Sequence, residues 1–493
     1  MKNTTFLSSA LLLTISAVIC KVIGALYKVP LTNILGSEGM GLYQLIFPIY
    51  ALLITISSGG IPATMASIPS IDDKSLVKVA VSYSVVISGA LTLLIVALAP
   101  IISSVQGNPH ASIGYMAIAP SILFTGIIAP LRGYFMRKLN MTPTAISQLI
   151  EQVVKLVAGL TLSIYLAPRG VEYGVVGALL GISISELVSA IYLYILYLRH
   201  RPTPTLVVGL PDRYTFTRLA TYSIPITVGS LIVPLSSMLD SLLVVNLLSP
   251  LVGVVEATSL YGIASASVGS LINVPIVVAV SIATAILPSL SSLKDNGDRD
   301  TLSYKCSTSL KYCYAVSILA VVVFCTCASY IIDILYPVLS TSHKVVATNL
   351  IVLSSVSIIF LSASNIYSAM LQGVGVPMVN VKVLLIGVAT RVISTICLMP
   401  NIGIYAWAIG GVACYLITHM LSMRYFRSFC KKNPDMVKFV GKITLSGVII
   451  FVVISSLTRL SYDMTIPAVL IGSAIYLALL FKLGVIDKRE FAK

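Results

Sequence analysis

Apolar residues in this chain gather into fourteen runs of about twenty to thirty residues, parted by short polar stretches in which Lys and Arg recur. The runs cover residues 6–33, 43–62, 77–104, 112–135, 144–167, 174–198, 219–248, 257–290, 308–336, 345–371, 378–399, 403–423, 438–458 and 464–481. Each is long enough to cross a hydrocarbon layer of about 30 Å as a helix. The pattern predicts an all-α polytopic membrane protein of about 14 transmembrane helices. No extramembrane stretch is long enough for a soluble catalytic domain.

The basic residues orient the helices. With the N-terminus inside, 25 of the 32 Lys and Arg residues fall on inner loops and helix ends, among them Lys74, Lys78, Arg132, Arg137, Lys138 and Lys382. Only Arg169, Lys344 and Arg459 fall outside, and Lys21, Lys28, Lys155 and Arg391 stay within runs. A missed helix would invert every later loop, so this asymmetry supports both the count and a cytoplasmic-membrane protein with both termini inside. The first run begins after a lone Lys2 and contains Cys20, as a signal peptide or lipoprotein site would. It lacks a following A-x-A site and continues past Lys21, which predicts a retained first helix.

Composition fits the same picture: mean hydropathy is +1.00, charged residues make up 10%, and the formal charge is +15. That positive charge faces anionic lipid headgroups on the inner side, which argues against nucleic acid as a partner. The eight cysteines form no CxxC pair and lie in or beside apolar runs. They predict packing residues rather than disulfides or a metal site, and no other cofactor is implied. No G-x-x-x-x-G-K-[ST] motif occurs, so a gradient, the membrane potential or the substrate itself must drive any work.

A weak internal repeat relates helices one to six to seven to twelve. Gly41-Leu42-Tyr43 precedes Ala63-Thr64 and Pro69, and Ser259-Leu260-Tyr261 precedes Ala283-Thr284 and Pro288 at nearly the same offsets. Arg132-Gly133 with Pro143 has a counterpart in Gln372-Gly373 with Pro377. Units of six helices insert with one orientation and are related by an axis along the membrane normal. The expected organisation is two pseudo-symmetric six-helix lobes, 1–205 and 206–432, followed by helices thirteen and fourteen and a tail, 433–493.

Several segments together resemble a known family. They are Lys21-Val22-Ile23-Gly24 through Lys28-Val29-Pro30, Gly36-Ser37-Glu38-Gly39-Met40-Gly41-Leu42-Tyr43, Leu131-Arg132-Gly133-Tyr134-Phe135, Met141-Thr142-Pro143-Thr144-Ala145-Ile146-Ser147-Gln148 with Glu151-Gln152, and Ser223-Ile224-Pro225-Ile226-Thr227 with Asp240. The chain resembles the stage V sporulation protein B branch of the multidrug/oligosaccharidyl-lipid/polysaccharide (MOP) exporter superfamily. The resemblance implies a flippase that carries an undecaprenyl-pyrophosphate-linked saccharide, a peptidoglycan precursor or polysaccharide repeat unit, to the outer leaflet. The sporulation branch often has Arg where this chain has Lys21 and Lys28, and Ser67 replaces a Lys expected at the inner end of helix two.

The charges inside the runs are the candidate site residues, because each costs at least about 2.5 kcal/mol at mid-helix unless it faces a wet cavity or a partner. Lys21 and Lys28 stand two turns apart on one helix face with Gly24 between them. They read either as a basic stripe that binds the pyrophosphate or as snorkelling side chains. Arg391 is a third candidate for the substrate anion, or pairs with an acid. Glu151 and Lys155 have the i, i+4 spacing of an ion pair, with a structural or a gating role open to them. Asp240 and Glu186 have no partner within their own helices; each is either a site for coupling to Na+ or H+ or a partner for a basic residue across the cavity. Asn273, Asn365 and Gln372 are expected to bond between helices. Pro30, Pro48, Pro62, Pro225, Pro234 and Pro275 serve as hinges or as packing features.

Taken together, the sequence predicts an alternating-access carrier with a lipid-linked saccharide and membrane lipids as partners and no catalytic residue. One alternative is a cation-coupled multidrug exporter of the same superfamily. Others are a membrane enzyme, or a scaffold of cell-wall or spore-cortex assembly.

Overall fold

The structure is a computed structural model that describes residues 2–68, 72–200, 213–295, 298–427, 435–459 and 461–486. The expected lobe boundaries at 205/206 and 432/433, and Cys430, lie outside these residues. Among the described residues every regular element is helical, and thirteen helices are long and apolar enough to cross a membrane. Large apolar side chains such as Val86, Leu93 and Leu470 are exposed on helix surfaces, as lipid-facing positions require. The chain is a multi-pass membrane protein.

By internal packing the chain divides into two compact units, Met1–Ala266 and Ser267–Lys493. The first holds α1 (Lys2–Ser58), α2 (Ile61–Ser67), α3 (Asp73–Val105), α4 (Ser112–Arg137), α5 (Thr142–Leu166), α6 (Val171–Arg199), α7 (Arg213–Ser230), α8 (Ile232–Val252) and α9 (Val254–Gly262). Fourteen apolar runs become thirteen candidate spans because the first two share α1. Within α1 the backbone turns at Gly36, where φ is 68° and ψ is −174°, a conformation that L side chains rarely adopt. Two spans therefore meet with almost no loop between them.

Two cores hold the first unit together. One joins α1, α4 and α6 through Tyr27, Leu31, Ile46, Tyr115, Ile122 and Leu179. The other joins α2, α3, α4, α6 and α7 through Met65, Leu76, Leu131, Phe135, Leu193 and Leu219. The short α2–α3 connection is fastened to the end of α4. Arg137 Nε donates to Asp73 at 2.7 Å and its Nη1 to the Met65 and Ile68 carbonyls, while Lys138 pairs with the same Asp73.

The second unit begins in a π-helical stretch, Ile263–Val268, that runs into α10 (Gly269–Asp295). It continues with α11 (Arg299–Leu335), α12 (Thr341–Gly373), α13 (Pro377–Ile402), α14 (Tyr405–Phe426), α15 (Asp435–Thr458) and α16 (Thr465–Lys482). Its core is built from Leu310, Cys313, Ile366, Met370, Ile450 and Leu480 among others. The last two helices belong to this core: Tyr476 Oη on α16 donates to the Ala315 carbonyl on α11 at 2.8 Å. Pro143 and Pro377 each open a helix, α5 and α13, after the matched motifs noted above.

Three polar residues behave otherwise than expected. Asn273 and Asn365 donate to carbonyls four residues back in their own helices, Gly269 and Leu361, at 2.7 and 3.0 Å, and Gln372 donates to Ser368 at 3.2 Å. A carbonyl, or for Gln372 a hydroxyl, lies within reach one turn back, and these bonds therefore form within a helix rather than between helices.

Candidate functional site

The intramembrane charges of the first unit converge where α1, α4, α5 and α6 meet. On α4, Arg132 directs Nη2 to Glu151 Oε2 at 2.9 Å and Nε to Ser147 Oγ at 3.0 Å. Ser147 and Glu151 are one turn apart on α5, so a planar guanidinium spans both with two parallel donors. The pair is largely buried, with side-chain exposures of 18% and 19%. The i, i+4 spacing had assigned Glu151 to Lys155. The structure gives Glu151 to Arg132, because the fork from α4 offers two fixed donors where an ammonium offers a point charge.

Lys155 turns instead to Gln152, donating to Oε1 at 2.5 Å, and lies 5.8 Å from the centre of the Tyr27 ring. Tyr27 immediately precedes Lys28 on α1, and the charge that Lys28 feels most is that of Lys155, another cation. Cys20, one residue before Lys21, lies within the field of Glu151, Lys155 and Arg132. A side chain at Gly24 would begin 3.7 Å from Gln152 Oε1. Cys20, Gly24 and Tyr27 thus form the strip of α1 that runs along α5. Lys28 is partly buried, and Lys21, two turns away, is exposed.

Glu186 on α6 is buried within the same field, which comes from Glu151, Arg132 and Lys155, with the Tyr50 hydroxyl hydrogen-bonded to it. At their ordinary charges Arg132, Lys155 and Lys28 outweigh Glu151 and Glu186 by one, and Lys21 adds another. A positive surplus inside a membrane attracts an anion.

The other two candidates stand elsewhere. Asp240 is buried on α8 beside Ser241 and is not among the charges that reach Glu186 or Lys155. Arg391 belongs to the second unit, buried on α13, with its guanidinium 5.3 Å from the Trp407 ring and 3.8 Å from where a side chain at Gly411 would begin. Sequence reasoning missed Arg132 as a site residue, because its place near the end of an apolar run assigned it to the inner loop. A signal was available: folding α4 back on α5 about the turn at residues 138–141 pairs position 132 with positions 147 to 151.

A second feature of the first unit is a tight crossing of α1 with α9. A Cβ at Gly41 would come closer than 3.0 Å to the Thr258 carbonyl, and one at Gly262 would strike the backbone of Ser37 and Gly41. The segments that the repeat matched, Gly41-Leu42-Tyr43 and Ser259-Leu260-Tyr261, are packed against each other here. Polar contacts flank the crossing. Asn108 Nδ2 donates to Thr258 Oγ1 at 2.9 Å, and Gln106 Nε2 donates to the Leu45 carbonyl at 2.8 Å and to Ser241 Oγ at 3.2 Å. Just beyond the end of α1, the Gly60 N–H donates to Thr227 Oγ1 on α7 at 3.1 Å.

The first unit is thus a bundle of membrane helices that buries a charged cluster and crosses closely at glycines. The chain belongs to the polysaccharide biosynthesis protein family, which it matches over residues 6–294. It is similar to stage V sporulation protein B of Bacillus subtilis (strain 168), with 27% identity over 353 residues, 68% of either chain. It is also similar to the lipid II flippase MurJ of that organism, with 22% identity over 531 residues, 99% of this chain and 97% of that one.

Among solved structures, a lipid II flippase MurJ in an inward closed conformation has a TM-score of 0.75 at 17% identity, covering 95% of this chain and 98% of the other. An inward-facing multidrug resistance transporter of the MATE family gives 0.69 at 15% identity, covering 85% and 95%. These likenesses establish the fold. MurJ is named as a flippase and the MATE protein as a transporter, and neither is named as an enzyme.

Proposed function

We propose that this protein is a flippase that moves a lipid-linked saccharide across the cytoplasmic membrane by alternating access. The observation that carries the reading is the positive surplus at Lys28 and Lys155, with Lys21 exposed on the same face of α1 as Lys28. In this reading the diphosphate of an undecaprenyl-pyrophosphate-linked saccharide is drawn to Lys21 and Lys28, Lys155 reinforces their field, and the lipid tail stays in the bilayer. Lipid II flippase MurJ, similar over nearly the whole chain, names a lipid-linked cargo of that kind for itself.

The remaining assignments follow from the same reading. Arg391 is a further candidate for binding an anion. Glu151 and Glu186 set the charge of the cluster together with Lys155, so that emptying the site leaves the cations partly compensated. Asp240 couples transport to Na+ or H+. The two six-helix lobes, 1–205 and 206–432, alternate between inward-open and outward-open states, and helices thirteen and fourteen, outside the repeat, pack into the core of the second unit. Both termini face the cytoplasm, as the distribution of Lys and Arg implies.

The test is transport of a fluorescent undecaprenyl-pyrophosphate-linked saccharide by proteoliposomes. Lys28→Ala and Lys21→Ala are expected to lower the rate at least tenfold at unchanged reconstituted protein, with Lys→Arg at either position retaining most of it. Wild-type rates in both Ala variants would leave the two lysines as snorkelling residues and remove the basis of the proposal. Export of cationic drugs without movement of the lipid-linked saccharide would favour the multidrug reading instead.

A further inference from the structure

α5 is two-faced. Ile146, Val153 and Val157 are exposed apolar side chains on one side of it, as lipid requires. The other side carries Gln148, Glu151, Gln152 and Lys155, followed by Gly159, which is buried against Tyr27 of α1. Two of these four polar residues have roles already: Glu151 meets Arg132, and Lys155 contributes to the positive surplus. The two amides do not. Gln148 and Gln152 stand one turn apart on the same face, and each is half-buried.

The bond from Lys155 fixes how the Gln152 amide is turned. An ammonium only donates, so the atom 2.5 Å from Nζ is the amide oxygen, and the nitrogen with its two N–H groups points away from Lys155. That nitrogen donates to none of the described residues. On the α1 side the amide is met by Gly24, where a side chain would begin 3.7 Å from the oxygen. Glycine thus leaves open the space that a larger residue would fill.

Gln148 complements Gln152. Its Oε1 is buried with no hydrogen-bond partner among the described residues. Exchanging oxygen and nitrogen does not help, because an N–H is then buried and unpaired in its place. A half-turn of the terminal torsion presents the oxygen on the other side, where a ligand that donates a hydrogen bond supplies what the protein does not.

The inward face of α5 therefore runs, in steps of about one turn, from an unpaired acceptor through an oriented donor to a cation. An ionised diphosphate accepts hydrogen bonds only, so it suits Lys155 and cannot serve the Gln148 oxygen. A hydrocarbon tail uses neither amide. Sugar hydroxyls both give and take hydrogen bonds, and they suit the pair.

We propose that Gln148 and Gln152 read the saccharide of the lipid-linked substrate where it adjoins the diphosphate. The proposal rests on the flippase reading and adds a specificity determinant to it: the lysines select charge, and the amides select the hydroxyl-bearing group attached to that charge.

The test measures binding of undecaprenyl pyrophosphate, bare or carrying one glucose or N-acetylglucosamine, to the full-length protein in detergent by microscale thermophoresis. The wild type is expected to bind a sugar-bearing lipid more tightly than the bare one. In Gln152→Leu and in Gln148→Leu that preference should fall about two- to tenfold, the worth of one hydrogen bond. Lys28→Ala should weaken both kinds of lipid and keep the preference. A merely structural role for the amides would also weaken both together, so an unchanged preference in the two glutamine variants overturns the proposal while the flippase reading stands. A wild type without preference for the sugar has the same consequence. If Gln152→Leu does not fold, Gln148→Leu carries the comparison, since it removes no bond present in the structure. Binding of none of these lipids by the wild type would overturn the flippase reading and this proposal together.

Discussion

Gly41→Ala tests whether the α1–α9 crossing holds one end of the first unit closed. The added methyl would meet the Thr258 carbonyl oxygen at less than 3.0 Å, with the carbonyl carbon and Cγ2 of the same residue each at 2.7 Å. The obstacle is backbone in a helix, which cannot rotate aside as a side chain can. Overpacking of this kind costs about 1–3 kcal/mol. Ala gains about 0.5–1 kcal/mol over Gly in helix propensity, but α1 keeps that gain whether or not it touches α9, so it does not favour the closed crossing. The balance between closed and separated states therefore shifts by about five- to 150-fold toward separation, at about 1.4 kcal/mol per tenfold. Leu45 is fully buried beside the crossing, and its carbonyl accepts from Gln106. With the native cysteines replaced and Leu45→Cys introduced, modification by a membrane-impermeant thiol reagent should quicken at least fivefold on adding Gly41→Ala. Gly229→Ala, where a side chain meets nothing within 4 Å, should leave the rate unchanged. Equal rates with and without the Gly41→Ala substitution would refute the idea that this contact holds the end closed.

Two further predictions concern the charges. Arg132→Ala strands the Glu151 carboxylate, and folded yield and melting temperature in detergent should fall by the equivalent of about 3–5 kcal/mol. Adding Glu151→Ala should restore part of the loss, and a double variant no better than the single would show that the ion pair is not what the guanidinium supports. For the orientation, a lone cysteine at Ser342 should react with an impermeant reagent applied outside cells and one at Lys382 should not; the reverse pattern would invert the inferred topology.

The spans were legible in the sequence because hydrocarbon thickness fixes their length. What escaped was where a run is broken or joined. The turn at Gly36 depends on one backbone torsion, and the apolar run at 219–248 gave no sign that α7 ends at Ser230 and α8 begins at Ile232. In the candidate site Lys28, Lys155 and Glu186 stood out because a charge within an apolar run is conspicuous. Arg132 did not, since a residue near a helix end reads as interfacial until the neighbouring helix is seen to carry Ser147 and Glu151.

The near absence of slack at Gly36 constrains how this gene can change. Where two spans are joined by a long loop, residues can be gained or lost there at small cost. Between Gly36 and Gly41 one added residue would rotate everything downstream by about 100°. Tyr43 and Ile46 would swing out of their core and the glycine contact with Thr258 would fall out of register. Length in this segment is thus as firmly specified as residue identity, and related chains that keep this bend should align across it without gaps, however far their lipid-facing residues have drifted.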